Sequence, residues 1–249
     1  MQRQNIIITG ASSGLGKGMA IEFAKMGRNL GLCARRVERL EELKAELLAI
    51  NPNVNVVIKP LDVDDHDAVF TCFNEFQAEF GTLDRVIVNA GMGKGASVGT
   101  GYFYANKQTA ITNFVSALAQ CEAAVGIFRQ QNHGHLVTIS SISAARGFRR
   151  ALTVYAATKA ALTSLTEGIR IDLMKTPIKV STIHPGFIQT EINEKVKAAP
   201  FMVDTETGCK ALVRSIEKEP ANSYVPAWPW AILYRLMKWA PLSMLAKMS

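Results

Sequence analysis

The sequence predicts a doubly wound α/β fold, one parallel sheet with helices on both faces. Three observations carry this. Short β-branched runs alternate with helical segments along the chain, the pattern of βαβ units with right-handed crossovers. The first run, Asn5-Ile6-Ile7-Ile8-Thr9, is short and β-branched, as suits a strand buried on both faces. The chain also opens as strand, glycine-rich turn, helix. Its 249 residues are 48% hydrophobic and 20% charged, an ordinary globular composition and enough for one large domain.

Taken in order, residues 5–9 are a first strand closed by Gly10, and Gly10-Ala11-Ser12-Ser13-Gly14-Leu15-Gly16 is a turn into a helix stopped at Gly27. Such a turn aims backbone N–H groups and a helix N-terminus at a pyrophosphate. The glycine spacing is GxxxGxG, unlike the GxGxxG of the general dinucleotide fingerprint. A second strand, 29–34, ends in Arg35-Arg36, followed by a charged helix over 37–50. At that strand end an acid would hold a ribose 2′-hydroxyl and an arginine would accommodate a 2′-phosphate. No acid stands between that strand end and Glu38, and Lys17 adds charge beside the turn. The cofactor expected is therefore NADP(H), with Arg35 favoured over Arg36 as its contact. A third strand, 54–58, leads to Asp62-Val63 at the carboxyl edge, where open α/β sheets bind ligands.

A helix over 65–80 stops at Gly81, and a fourth strand, 83–88, ends in Asn89-Ala90-Gly91. The glycine-rich stretch after it has no immediate helix and reads as a mobile loop on the substrate side. A long helix over 102–131 carries Asn113, a residue that helix interiors disfavour. A fifth strand, 134–139, ends in Ser140-Ser141-Ile142-Ser143, and the next helix runs to about residue 175, before Pro177. A sixth strand, 178–183, ends in His184-Pro185-Gly186-Phe187-Ile188-Gln189-Thr190. An irregular segment over 191–204, a helix over 205–217 and a last strand over 223–225 complete the sheet. No linker or repeat divides residues 1–225, which form one domain with a tail, 226–249, behind it.

Tyr155 and Lys159 stand four apart on one helical face, among alanines that leave room for a ligand. A phenol has an ordinary pKa of about 10, and a neighbouring ammonium lowers it, each unit being about 1.4 kcal/mol. Such a pair makes a general acid–base group.

The four cysteines and four histidines are dispersed without ligand spacing, so reduced thiols and no metal are expected. Residues 1–5 run into only a few apolar positions, so no signal peptide and a cytoplasmic location are expected. The net charge of +7 points to an anionic partner: a phosphorylated cofactor, an acidic substrate or a membrane surface. No basic stripe with interleaved aromatics marks nucleic-acid binding. The tail holds all three tryptophans and the cations Arg235, Lys238 and Lys247, without an acid. No uncharged run there approaches the roughly 18 residues of a membrane span. A basic-aromatic helix can lie in a membrane interface, so the tail is a lid, a dimer contact or an interfacial segment. Each role favours lipophilic substrates, with Phe148, Phe187 and Phe201 lining the cleft.

In sum, residues 5–225 resemble the short-chain dehydrogenase/reductase family. The likeness rests on Thr9–Gly16, Asn89-Ala90-Gly91, Asn113, Ser140-Ser141, Tyr155 with Lys159, and Pro185-Gly186 with Thr190, in that order along the chain. The resemblance implies a three-layer Rossmann fold and a homodimer or homotetramer. It implies Tyr155 as catalytic acid/base, and Lys159 lowering its pKa and holding the nicotinamide ribose. Asn113 would anchor a relay water and Asp62 would meet the adenine. Asn89, Ala90 and Gly91 would support the cofactor's middle, and Ile188 and Thr190 its nicotinamide amide. Most relatives place the catalytic serine thirteen residues before the tyrosine, where this chain has Ile142. Aligning the strand end gives the role to Ser141, with Ser143 the other option and Ser140 a structural hydroxyl. The expected activity is NADPH-dependent reduction of a lipophilic ketone or aldehyde. The competing readings are a catalytically idle NADP-binding sensor and a methyltransferase, the latter giving Tyr155, Lys159 and Arg35 no role.

Overall fold

The computed structural model describes residues 2–191 and 199–248, so most of the irregular segment expected over 191–204 lies outside them. Seven strands form one parallel sheet: β1 (Asn5–Thr9), β2 (Asn29–Ala34), β3 (Val56–Pro60), β4 (Arg85–Val88), β5 (His135–Ile139), β6 (Lys179–Pro185) and β7 (Asn222–Val225). Their order is β3-β2-β1-β4-β5-β6-β7, which reverses direction between β1 and β4. A crevice opens beyond the carboxyl ends at such a switch point. The third strand lies two residues further on than expected, because Val54 is core but only Val56 begins to pair with Leu30.

The apolar positions of the strands serve two cores. Successive side chains on a strand point to opposite faces. Ile6 and Ile8 pack with Phe23 of α1 (Gly14–Lys25), Leu40 of α2 (Val37–Ile50) and Leu212 of α7 (Thr205–Ile216). Ile7 packs on the other face with Phe73 of α3 (His66–Phe80), Phe128 of α5 (Ser116–Gln131) and Leu162 of α6 (Leu152–Asp172). The amino ends of the strands are bound by Arg3, Arg28 and Arg85 paired with Glu217 and Glu219. Buried Arg85 donates to His135 Nδ1 at 2.9 Å, and burial with that guanidinium holds His135 neutral, its pKa well below the usual value.

The long helix expected over 102–131 is in fact α4 (Phe103–Ala110), a π turn (Ile111–Val115) and α5. The run Phe103–Gln131 is long and apolar enough to cross a membrane, but 56% of its apolar window is buried in the fold. The tail forms α8 (Ala227–Trp239) and α9 (Leu242–Met248). Trp230, Tyr234, Met237 and Leu245 build a third cluster with Ile142, Ala144 and Ala145 just past β5.

Candidate active site

The carboxyl edge is assembled from backbone at one end and side chains at the other. Gly10 has φ +64° and Gly14 φ +53°, in the region that glycine adopts freely. A Cβ at Gly10 would stand 2.9 Å from Ala90 Cα, and one at Gly16 would overlap the Gly10 carbonyl oxygen. β1 and β4 therefore close on each other at this turn. Thr9 Oγ1 accepts from the backbone N–H of both Asn89 and Ala90 at 3.0 Å, and the Asn89 amide donates to the Thr9 carbonyl at 2.8 Å. Gly91 approaches Asn113 Oδ1, and Thr190 comes back beside Gly14. Ile188 is buried, and Pro185 and Gly186 end β6 and begin the turn beyond it.

The turn fits a dinucleotide phosphate. Helix α1 begins without a side-chain cap and without an acid in its first turn, so its terminal N–H groups keep their donor capacity. The Ser12 and Ser13 hydroxyls instead accept from Arg36, at 3.1 and 2.7 Å from Nη2. Arg36 thus lies over the glycine turn, while Arg35 is exposed and stands 3.7 Å from Asp62. A shallow cleft lined by Arg35, Pro60, Leu61, Asp62, Asp65 and Ala68 flanks them, with Val63 buried behind it.

Further along the edge Ser141, with extended backbone, starts the 3-10 turn Ile142–Ala145. Its Oγ accepts from the Ser143 N–H at 3.1 Å and from Ser143 Oγ at 2.9 Å. Tyr155 hydrogen-bonds Ser141, an interaction that favours the phenolate, but burial outweighs it and raises the phenol pKa. Burial and the Ser141 hydroxyl are the two influences on this phenol. Lys159 Nζ lies 5.9 Å from the Tyr155 ring centroid and donates to the Ile139 carbonyl at 2.8 Å. Burial lowers Lys159 to about 8. Ser140 donates to the Lys159 carbonyl at 3.0 Å, a structural bond between β5 and α6.

Asn113 is buried in the π turn, and its amide pairs with both backbone groups of Met92, at 2.8 Å each. Asn106 does the same for Ala96, and Thr109 donates to the Lys94 carbonyl. Three side chains on one helical face thus hold alternate residues of the loop. The loop expected to be mobile is tethered from Met92 to Ala96.

A model of the short chain dehydrogenase family matches residues 4–200. The chain belongs to this family. An uncharacterized oxidoreductase of Mycobacterium tuberculosis (strain ATCC 25618 / H37Rv) is 51% identical over 235 residues, covering 94% of this chain and 93% of that one. The NADP-dependent 3-hydroxy acid dehydrogenase of Schizosaccharomyces pombe (strain 972 / ATCC 24843) is 33% identical over 192 residues, 76% and 73% of the two chains. Among solved structures, the NADPH-dependent 3-quinuclidinone reductase from Rhodotorula rubra aligns with TM-score 0.76 at 26% identity, covering 88% of this chain and 85% of that one. As a short-chain dehydrogenase, the chain is an oxidoreductase on a Rossmann-type sheet that uses a nicotinamide dinucleotide.

Several residues of the site carry no local signal. Asp64 accepts from Gln108 at 2.6 Å, Thr112 at 2.9 Å and Ser116 at 2.7 Å, tying the end of β3 to the π turn. His184 faces the Ser141 carbonyl from Nδ1 at 3.2 Å and is flanked by the rings of Tyr224 and Tyr234. Burial drives its pKa to about 4, so it is neutral. The Trp230 indole packs on Gly186, where a Cβ would overlap Nε1. Phe187 and Phe201 meet this indole edge-on at 5.6 and 6.0 Å. Trp230 Nε1 is buried with no hydrogen-bond partner among the described residues.

Proposed function

We propose that the chain is an NADPH-dependent reductase of a lipophilic ketone or aldehyde, with Tyr155 as acid/base. The observation that carries this reading is the Ser141–Tyr155 hydroxyl pair at the end of β5, beside the glycine turn and beneath the aromatic wall of the tail. The bound nicotinamide would supply a hydride to the carbonyl carbon.

The protein's own part is polarisation and proton supply. Ser143 donates twice to Ser141 Oγ, so the Ser141 proton is directed away from Ser143, toward the Tyr155 oxygen and, once a carbonyl is bound, toward the substrate oxygen between them. Donors from Ser141 and Tyr155 meet the oxygen where negative charge develops. Tyr155, its pKa raised by burial, keeps its proton at neutral pH and has it to give. Lys159, titrating at about 8, exchanges protons in the working range and resupplies the phenol. The amide of Asn113 is spent on Met92, so a relay water meets this residue at its main-chain carbonyl. The NADP(H) preference draws on Arg36 over the Ser12-Ser13 turn and Arg35 beside Asp62, and agrees with the names of two of the proteins this chain resembles. A homodimer or homotetramer belongs to the same reading.

The test is a panel of apolar ketones and aldehydes followed at the NADPH absorbance. Turnover with NADPH over NADH, abolished in Tyr155→Phe, is expected. Cofactor binding without turnover of any carbonyl would replace the reductase by a sensor.

A further inference from the structure

Helix α8 is apolar on both faces, yet only one of them is covered. Trp230, Tyr234 and Met237, at helical spacing, pack on the body of the protein. On the other side Trp228, Ile232, Leu236 and Trp239 form a second stripe, exposed by 74, 47, 60 and 89%, and continued by Leu242 at 73%. A helix apolar all round is normally buried all round. Large exposed apolar patches mark interaction surfaces.

Charge identifies what covers it. Arg235 and Lys238 are exposed along one edge of the stripe, Lys238 Nζ lying 5.3 Å from the Tyr234 ring centroid. Arg146 donates to the Lys238 carbonyl at 2.6 Å, joining the segment after the 3-10 turn to the end of α8, and Phe148 packs into the tail cluster. Neither 123–166 nor 220–249 contains an Asp or Glu. A second copy placed on this face by a two-fold axis would set like charges against like. A bilayer with anionic headgroups matches both components, since tryptophans and leucines enter the headgroup–acyl boundary while arginines and lysines meet the phosphates.

We propose that the outer face of α8, with Leu242 and the Arg146–Arg150 loop, docks on an anionic lipid surface. The docked helix lies in the plane of the interface, its regular part after the kink at Trp228 about 16 Å long, with Trp228, Ile232, Leu236 and Trp239 inserted. Its opposite face carries Trp230 against Gly186, so lipid surface and site wall are two sides of one helix. The proposal is independent of the reaction assigned above.

The chain reports on this itself, because all three tryptophans lie in the tail and two of them are on the docking stripe. Full-length protein is floated with vesicles of phosphatidylcholine alone or with phosphatidylglycerol, some carrying brominated acyl chains that quench inserted tryptophan. Flotation and quenching with anionic vesicles are expected. Replacing Arg235 and Lys238 by Gln weakens binding about 25-fold, roughly fivefold per cation. Leu236→Ser with Trp239→Ser abolishes quenching while the far-UV spectrum stays native. Equal binding to neutral vesicles, or no flotation with either, overturns the proposal. So does a stripe variant that turns a dimer into a monomer in sedimentation, which makes the face a contact between copies. Quenching of the unaltered chain decides the matter even where a variant fails to fold.

Discussion

The two ends of the carboxyl edge are built on opposite principles. At the glycine turn, side chains are absent so that backbone can approach backbone: Gly10 against Ala90, Gly16 under the Gly10 carbonyl. At the tail, the space is filled with rings: Trp230 on Gly186, Phe187 and Phe201 edge-on to it, Tyr224 and Tyr234 around His184. In the proposed reading the first end would meet phosphate and ribose through groups that every residue carries. The second would meet the proposed substrate, and only side chains can distinguish one such molecule from another. Between them stand Ser141, Tyr155 and Lys159, which belong to neither.

The largest expected effect lies on that middle ground. Tyr155→Phe removes one oxygen and keeps the ring, so the fold and the glycine turn are untouched. Turnover should fall about 1,000-fold, the scale of a lost general acid, while NADPH binding measured by tryptophan fluorescence stays within twofold. Retained turnover would show that the proton comes from elsewhere.

Breaking the backbone end comes next. Gly16→Ala places a Cβ into the Gly10 carbonyl and beside the Asn89 amide, which is backbone on one side and a braced side chain on the other. Neither yields cheaply, and overpacking of this kind costs about 1–3 kcal/mol. NADPH affinity should fall about 10- to 100-fold by titration calorimetry, with kcat at saturating cofactor far less changed. The reverse split, a lost kcat with full affinity, would mean that this end does not hold the cofactor.

These two ends also differ in how much could be read ahead of the structure. The glycine turn, Asn89-Ala90-Gly91 and the strand pattern are local: a glycine with positive φ and an apolar five-residue strand carry their reason within a few neighbours. Tyr155 and Lys159 were equally visible, being four apart on one helix. What the lysine does was not, because the Ile139 carbonyl that holds it sits on another strand. Asn113 stood out as a misfit in a helix, but the π turn that accommodates it and the Met92 peptide it clasps are tertiary facts. Asp64, His184 and Trp230 gave no signal, since the partners described for them lie 29 or more residues away. The choice of Arg35 over Arg36 went by strand position alone. The reach of the Arg36 side chain back to Ser12 and Ser13 emerges only when β1 and β2 lie side by side.

A pH profile sharpens the middle ground further. Lys159 has its pKa depressed to about 8, so the free enzyme loses the ammonium as pH rises through 8. Reduction consumes a proton, and the phenol, raised above its ordinary value, does not ionise in this range. With NADPH as the varied substrate, kcat/KM reports free-enzyme groups. It should be flat below about pH 8 and fall about tenfold per unit above it. Stability moves the other way: between about 8 and the ordinary lysine value the unfolded chain binds the extra proton, so this group's contribution to folding grows with pH. Activity lost while the thermal midpoint holds excludes unfolding as the cause. A profile flat to pH 9 would remove Lys159 from proton supply.

At the backbone end, Arg36→Gln tests the division between the two arginines. Arg36 bridges Ser12 and Ser13 over the turn, and Arg35 faces Asp62. Loss of a charged contact to a phosphate is worth about 1.5 kcal/mol, so NADPH should bind about tenfold more weakly while NADH is unchanged. If Arg35→Gln produces that shift and Arg36→Gln does not, the 2′-phosphate lies over Asp62 instead of over the turn.

The smallest effect belongs to the tail end, and its sign is informative. Trp230→Phe keeps an aromatic ring against Gly186, Phe187 and Phe201 but deletes an indole N–H that finds no partner among the described residues. An unpaired buried donor is a cost of about 1–3 kcal/mol in the free protein, partly cancelled here by the smaller ring. Deleting it should therefore leave the thermal midpoint unchanged or slightly raised. If the N–H exists to meet a polar atom of the substrate, KM for the carbonyl should rise about fivefold, with kcat and NADPH affinity unchanged. A variant that loses stability without changing KM would make Trp230 a packing residue only, and the aromatic wall would then select by shape alone. A raised KM at undiminished stability would mean that the tail end, like the glycine turn, is shaped for a ligand that completes it.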